Sequence, residues 1–340
     1  MTITTVIRKT FAVALVAIAT IPNVAFTAEK EVEILNVSYD IARELYATIN
    51  PKFIEHWQST KGEQLTIKQS HAGSSKQARS ILQGLKADIV TFNQVLDVQV
   101  LADRGEFVNK QWQTNFPNNA SPYYSLPAFM VRGGNPKGIK DWDDLVRDGI
   151  SLVFPNPKTS GNARYTYLAA YAFALEKYAG NHKQAQAFVK KLLANVAVFD
   201  TGGRGATTTF VERSIGDVLI TFEAEVENIR AKEAPGAYER VVPSISILAE
   251  FPVAVVEKVA EKRGTLDVAK AYLNYLYSES GQEIISSFYN RVNHPEIVQR
   301  NAAKFPEVRL VKVEDVFGSW EEAKETHFAA EGVLDNLLRR

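Results

Sequence analysis

Three short polar stretches of this 340-residue chain carry the residue types and spacing from which chemistry could be built: residues 70–75 (SHAGSS), 159–163 (TSGNA) and 201–206 (TGGRGA). Each is made of Ser, Thr, Gly, Ala or Asn with at most one bulky or charged member, follows a strand-like run and opens a helix-forming segment. The first turn of a helix has backbone N–H groups without intrahelical acceptors and lies at the positive end of the helix dipole. Small residues there let an anion come close. One such turn is what any capped helix needs. Three together would form a cage of donors, which a dianion leaving water requires, because an uncompensated buried charge costs several kcal/mol.

What these stretches lack is equally informative. None has the His–carboxylate cluster of a metal site, and none sets a Ser near a His and an Asp in a triad-like pattern. TGGRG has the wrong spacing for a dinucleotide fingerprint, and no Walker sequence occurs. His71 reads as a hydrogen-bonded structural residue. Lys76, Lys158, Arg164 and Arg204 flank the loops as cations paired with nearby acids, raising the local potential rather than ligating directly.

Composition bounds the class. Lys+Arg and Asp+Glu are 39 each, and there is no basic tail, so nothing asks for nucleic acid or an anionic membrane surface. The chain has no Cys, which excludes disulfides, thiolate catalysis and Cys-ligated metal, and its two Met are Met1 and Met130. Residues 1–28 read as a cleavable export signal: Arg8 and Lys9, an apolar run from Phe11 to Ile21, then Pro22 and small residues ending at Ala28. Removing Arg8 and Lys9, and no acid, leaves 37 basic against 39 acidic residues, a net charge of −2. The expected location is a periplasm.

The elements that must position the loops alternate. Strands are expected at 32–39, 65–67, 88–92, 128–132, 150–154, 197–199, 217–222 and 252–256. Helices are expected after Asp40, with Asp40 as the cap and a kink or break at Pro51, and at 76–85. Further helices are expected from Gly161, at 183–193, 207–213, 265–277 and 280–288, and at a last segment opened by a Ser319/Glu322 capping box. Short-interval alternation predicts an α/β fold with parallel sheets covered on both faces, in two lobes around a cleft. One lobe comprises residues 29–120 with 250–310, the other 121–249, and residues 311–340 form a docked C-terminal helical segment. Ligands of such folds lie at the C-terminal ends of the strands.

The segments SHAGSSKQ, TFNQV, PNPKTSGNARYTYLAA, FDTGGRGATTTF, GDVLITFEAEV, ILAEFPVA and FYNRVN together resemble the periplasmic sulfate- and thiosulfate-binding proteins of ABC importers, over essentially the whole mature chain. The resemblance implies a two-lobed type II solute-binding protein, non-enzymatic, monomeric and without cofactor or metal, that captures thiosulfate or sulfate and delivers it to a membrane permease. The family's anion contacts fall on Ser74, Ser160, Gly161, Asn162 and Gly203, and Ser75 and Asp40 join them as candidate ligand contacts. Sulfate-binding relatives carry a Trp donor where this chain has Phe222, and commonly Gly and Ala where it has Asn162 and Gly203. Loss of the indole N–H beside an apolar ring implies a tilt toward thiosulfate, whose terminal sulfur is bulkier and a poorer acceptor. A cage made only of donors would bind phosphate weakly, because its proton lacks an acceptor. The scarcity of sulfur amino acids suits a sulfur scavenger. Two other readings are a receptor for another tetrahedral oxyanion such as molybdate, and an exported phosphate- or sulfate-ester hydrolase with Ser74 or Ser160 as nucleophile.

Overall fold

A computed structural model describes residues 31–339, so the export signal of the sequence reading lies outside the described residues. The first strand, Glu31–Tyr39, alternates exposed and buried residues and then becomes continuously buried from Asn36 to Tyr39. It sits at the centre of a four-stranded sheet, flanked in parallel by Gln64–Ala72 and Ile89–Thr91, with Val253–Val255 antiparallel at the far edge. A second sheet orders Val196–Asp200, Leu152–Pro155, Val218–Phe222, Pro127–Arg132 and Tyr238–Val241, the first three parallel and the last two antiparallel.

Between these sheets the chain crosses on Tyr123–Ser125 and Ala249–Glu250, which pair antiparallel. Arg291–Val292 completes that small sheet. Each large sheet keeps a parallel core with helical crossovers, so the two-lobed α/β architecture expected from alternation is what the chain adopts. The helix Gly161–Lys177 is buried nearly all round over its first three turns, from Gly161 through Tyr171 apart from Arg164, and so it acts as a core element of the second sheet.

Several local expectations need correction. Asp40 does not cap the helix that follows it. It begins the 3-10 turn Asp40–Ala42, whose N-cap is Tyr39, and the α-helix runs Arg43–Lys61. Pro51 neither splits nor ends that helix. Pro51 and Ala47, whose carbonyl loses its i+4 donor, are both exposed, so the lost bond falls on the solvent face of the helix.

The helices after the first and third loops begin earlier than read, at Ser74 and Gly203. Ser and Gly read as loop, yet the first turn of a helix makes no use of its own N–H groups and tolerates both. Strand Val218–Phe222 runs directly into an unforeseen helix, Glu223–Lys232. Ser319 does accept from the Glu322 N–H at 3.1 Å, but its helix is only Trp320–Ala323, continued by the π-turn Lys324–Phe328 and then Val333–Leu338.

Candidate functional site

The three polar loops converge. A Cβ on Gly73, the residue before the helix Ser74–Leu82, would stand 2.8 Å from the Thr159 carbonyl oxygen and 3.3 Å from that of Thr201. Gly73 therefore lies against both other loops, at a spacing that only glycine allows. Gly202 likewise has no room for a Cβ beside the Asp40 carboxylate, and Gly161 has none beside Asn93 and Gln94. Gly203 abuts Ile41, whose Cγ2 would be 3.1 Å from an added Cβ. Three helix N-termini, Ser74–Leu82, Gly161–Lys177 and Gly203–Val211, thus open toward one another where the strands of the two large sheets end.

The donors follow from helix geometry. The N–H groups of the first residues of each helix have no intrahelical acceptor. Ser160 is different: its own N–H is taken by the Asn156 carbonyl at 3.0 Å, while its hydroxyl has no hydrogen-bond partner among the described residues although Ser160 is only 2% exposed. Of the expected contacts, Ser160 therefore offers its side chain, and Gly161 and Asn162 offer backbone. A free hydroxyl and several oriented N–H groups in a buried, small-residue setting match the solvation needs of an oxyanion.

The Ser74 and Ser75 hydroxyls are committed elsewhere. Ser74 Oγ lies 2.5 Å and Ser75 Oγ 2.9 Å from Asp97 Oδ2, and Ser74 Oγ also lies 2.8 Å from Asn93 Oδ1. These two residues can reach an anion through backbone N–H only, because their hydroxyls hold the carboxylate. From the second loop's helix, Arg164 Nη1 completes this knot 3.2 Å from Asp97 Oδ1.

Asp40 has an analogous role at the third helix. Its Oδ2 accepts the Arg204 N–H at 3.1 Å and its Oδ1 the Ile41 N–H at 3.0 Å. Burial pushes its pKa up, partly offset by the Arg204 and Ile41 donors. Asp40 is thus an acceptor for the site's scaffold; a carboxylate does not donate to a dianion.

Three of the four flanking cations pair with acids as expected: Arg164 with Asp97, Arg204 with Glu44 at 2.6 Å, and Lys158 with Asp335 at 2.7 Å. His71 is structural, with Nδ1 3.0 Å from the Tyr39 carbonyl oxygen and Nε2 against Gln69. Among the described residues no group of three or more His, Cys, Asp or Glu could hold a metal, and no helix is long and apolar enough to cross a membrane.

Phe222 is 1% exposed, with its ring centroid 4.9 Å from that of Phe251 and 6.2 Å from that of Tyr165. It lines a small cavity together with Ile41, the residue that abuts Gly203. Its neighbour Thr221 accepts the Asn162 side-chain N–H at 3.1 Å. Phe222 is thus linked to the second loop through Thr221 and to the third through Ile41.

Sequence reasoning assigned no role to Asn93, Gln94, Asp97 or Ile41. The signal for the first two was the polar NQ pair one residue after the strand Ile89–Thr91, at the strand end where α/β folds place ligands. Asp97 and Ile41 act through tertiary contacts that no local pattern announces.

The chain matches the family model of bacterial extracellular solute-binding proteins over residues 37–289. It is 57% identical to the thiosulfate-binding protein of Escherichia coli (strain K12), with 90% of this chain and 91% of that protein covered. Identity to the sulfate-binding protein of the same organism is 46%, covering 92% and 94%. The solved sulfate-binding protein of Mycobacterium tuberculosis H37Rv superposes with a TM-score of 0.78 at 31% identity, covering 87% of this chain and 99% of that one. By fold, by site and by this relatedness, the chain belongs to the bacterial extracellular solute-binding protein family.

Proposed function

We propose that this chain is the anion-capturing component of an ABC importer, exported to the periplasm, where it binds thiosulfate and, less tightly, sulfate and hands them to a membrane permease. The observation that carries the reading is the meeting of three helix N-termini around Gly73, with the Ser160 hydroxyl free among them. Such a cage neutralises a dianion with dipoles and hydrogen bonds rather than with counter-charges. Relatives named as thiosulfate-binding, at 57% identity here and at 51% in Pseudomonas aeruginosa, support thiosulfate over sulfate. Phe222 supports it too, as an apolar wall beside the larger and softer sulfur atom.

In this reading the protein is a monomer with no cofactor. Residues 29–120 with 250–310 form one lobe and 121–249 the other, hinged at the strands Tyr123–Ser125 and Ala249–Glu250. Ligands that bind the folded chain raise its melting temperature by mass action. Thermal melts with thiosulfate and sulfate are expected to show stabilisation by both. No stabilisation by either anion would overturn the proposal.

A further inference from the structure

Gln94 is fully buried, yet its side-chain NH2 has no hydrogen-bond partner. Its Oε1 is engaged, accepting the Leu96 N–H at 2.5 Å as the N-cap of the helix Val95–Asp103, and this fixes the amide with Nε2 directed elsewhere. A buried amide donor without a partner is rare, because leaving it unpaired forfeits the hydrogen bonds it had in water. Gln94 Cβ and Cγ lie 2.6 and 2.9 Å from where a Gly161 side chain would begin, so the side chain that carries the orphan donor packs against the first residue of the second loop's helix.

A second orphan stands on that same helix turn. Asn162 is 1% exposed, its Nδ2 donates to Thr221 Oγ1 at 3.1 Å, and its Oδ1 has no partner. A carbonyl oxygen cannot face an unprotonated dianion. Thr221 carries a hydroxyl proton, so turning the Asn162 amide end for end lets Thr221 donate to Oδ1 and frees both N–H bonds of Nδ2. The orphan acceptor then becomes a partner of Thr221, and the freed donors take its place.

We propose that the side-chain amides of Gln94 and Asn162 are two further anion contacts, one from each lobe, and that they set the preference for thiosulfate over sulfate. This rests on the binding reading above and deepens it. Backbone N–H groups at helix N-termini are rigid and closely spaced, and suit short bonds to oxygen. The side-chain amides of Gln94 and Asn162 stand off the helix backbone, the one held by Leu96 and the other by Thr221, and so leave room for one tetrahedral atom that is larger and more weakly accepting. The two residues bracket Gly161, Gln94 from the first lobe and Asn162 from the second, so they reach a common ligand only when the lobes are together.

The test is titration calorimetry of the full mature chain and of Gln94→Met and Asn162→Gly variants, each with thiosulfate and with sulfate. Wild-type binding of thiosulfate tests the underlying reading separately; its absence would remove that reading and this inference together. With wild-type binding established, each variant is expected to lose about tenfold in thiosulfate affinity, or 1.4 kcal/mol, while sulfate affinity falls less than half as much in free energy. A thiosulfate-to-sulfate ratio within about twofold of wild type in both variants overturns the proposal. Gln94→Met also removes a helix cap, so Gln94→Glu serves as the fold-preserving companion: it keeps an oxygen for Leu96 and replaces the donor with a charge. Its binding of both dianions is expected to fall at least about a hundredfold while far-UV circular dichroism shows the chain folded at the temperature of the titration, and retained binding would contradict the contact. Side-chain amide 15N resonances of Gln94 and Asn162 should shift on adding thiosulfate to the wild type; unshifted signals overturn the assignment.

Discussion

The Asp97 carboxylate is held from both sides of the cleft: the hydroxyls of Ser74 and Ser75 lie 2.5 and 2.9 Å from its Oδ2, and Arg164 reaches its Oδ1 at 3.2 Å from the helix of the second loop. Asp97 is 5% exposed in its side chain and Arg164 15%, so the pair is nearly dry. Removing one member of such a pair leaves the other buried and unpaired, and the loss falls mainly on dissociation. Asp97→Asn is expected to speed release of thiosulfate about tenfold or more while changing the association rate little, as read by stopped-flow fluorescence. An unchanged release rate would show that this pair does not hold the lobes together.

Phe222 is the second element open to direct challenge. Its ring packs 4.9 Å from Phe251, and the cavity that it lines is too small for an added ring without rearrangement. Phe222→Trp is expected to restore an N–H donor worth roughly 1.5–3 kcal/mol to sulfate, offset by an overpacking cost of about 1–3 kcal/mol. The thiosulfate-to-sulfate affinity ratio should therefore fall even where both affinities drop. Calorimetry showing the same ratio would remove Phe222 from the account of selectivity.

Glu225 sets a pH dependence. It is buried beside Arg204, and burial pushes its pKa up to about 6, with the neighbouring Asp40 and Glu44 charges adding to the rise and Arg204 opposing it. A carboxyl whose folded pKa is raised binds its proton more tightly when folded, so its contribution to stability is greatest below its unfolded pKa of 4.5 and falls as pH rises toward 6. Glu225→Gln keeps an oxygen for the Thr207 hydroxyl, 2.8 Å from Glu225 Oε1, and removes the charge. It is expected to stabilise the chain at pH 7 by up to about 2 kcal/mol and to have little effect near pH 4. Melting curves that show equal effects at both pH values would contradict this.

The C-terminal segment supports the second loop. Lys158 donates to the Phe328 carbonyl at 3.1 Å and pairs with Asp335 at 2.7 Å, while the Arg164 guanidinium lies 5.7 Å from the Phe328 ring centroid. Lys158 and Asp335 are about a third exposed, so solvent screens the ion pair and it contributes little by itself. Lys158→Met is expected to leave the melting temperature nearly unchanged but to speed hydrogen exchange of the amides of residues 158–163. Exchange at the wild-type rate would show that the loop is held without the C-terminal segment.

How far the sequence carried the reading differs from residue to residue. The turn at Ser160, Gly161 and Asn162 was legible, because a Pro-rich strand end followed by Ser-Gly-Asn and an Ala/Tyr-rich helix has few other foldings. The alternation of strands and helices carried the two-sheet architecture for the same local reason. Asp40 was misplaced, because capping is read locally, whereas its carboxylate reaches Arg204, 164 positions away, from a 3-10 turn. Ser74 and Ser75 were read as anion contacts with no group assigned, and only the fold reveals Asp97 in front of their hydroxyls. Gln94 was passed over although it stands in a polar pair near a strand end, because nothing in a sequence tells a buried amide with a partner from one without. The signals that failed are those of tertiary partnership. Those that held are set by backbone geometry.

The central claim is that this cage selects a fully ionised, sulfur-containing dianion. Parallel calorimetric titration of the mature protein with thiosulfate, sulfate, phosphate and molybdate tests it most directly. Thiosulfate is expected to bind one-to-one and most tightly, sulfate next, and phosphate weakly because its proton meets donors. Tight binding of phosphate or molybdate without thiosulfate binding would contradict the account.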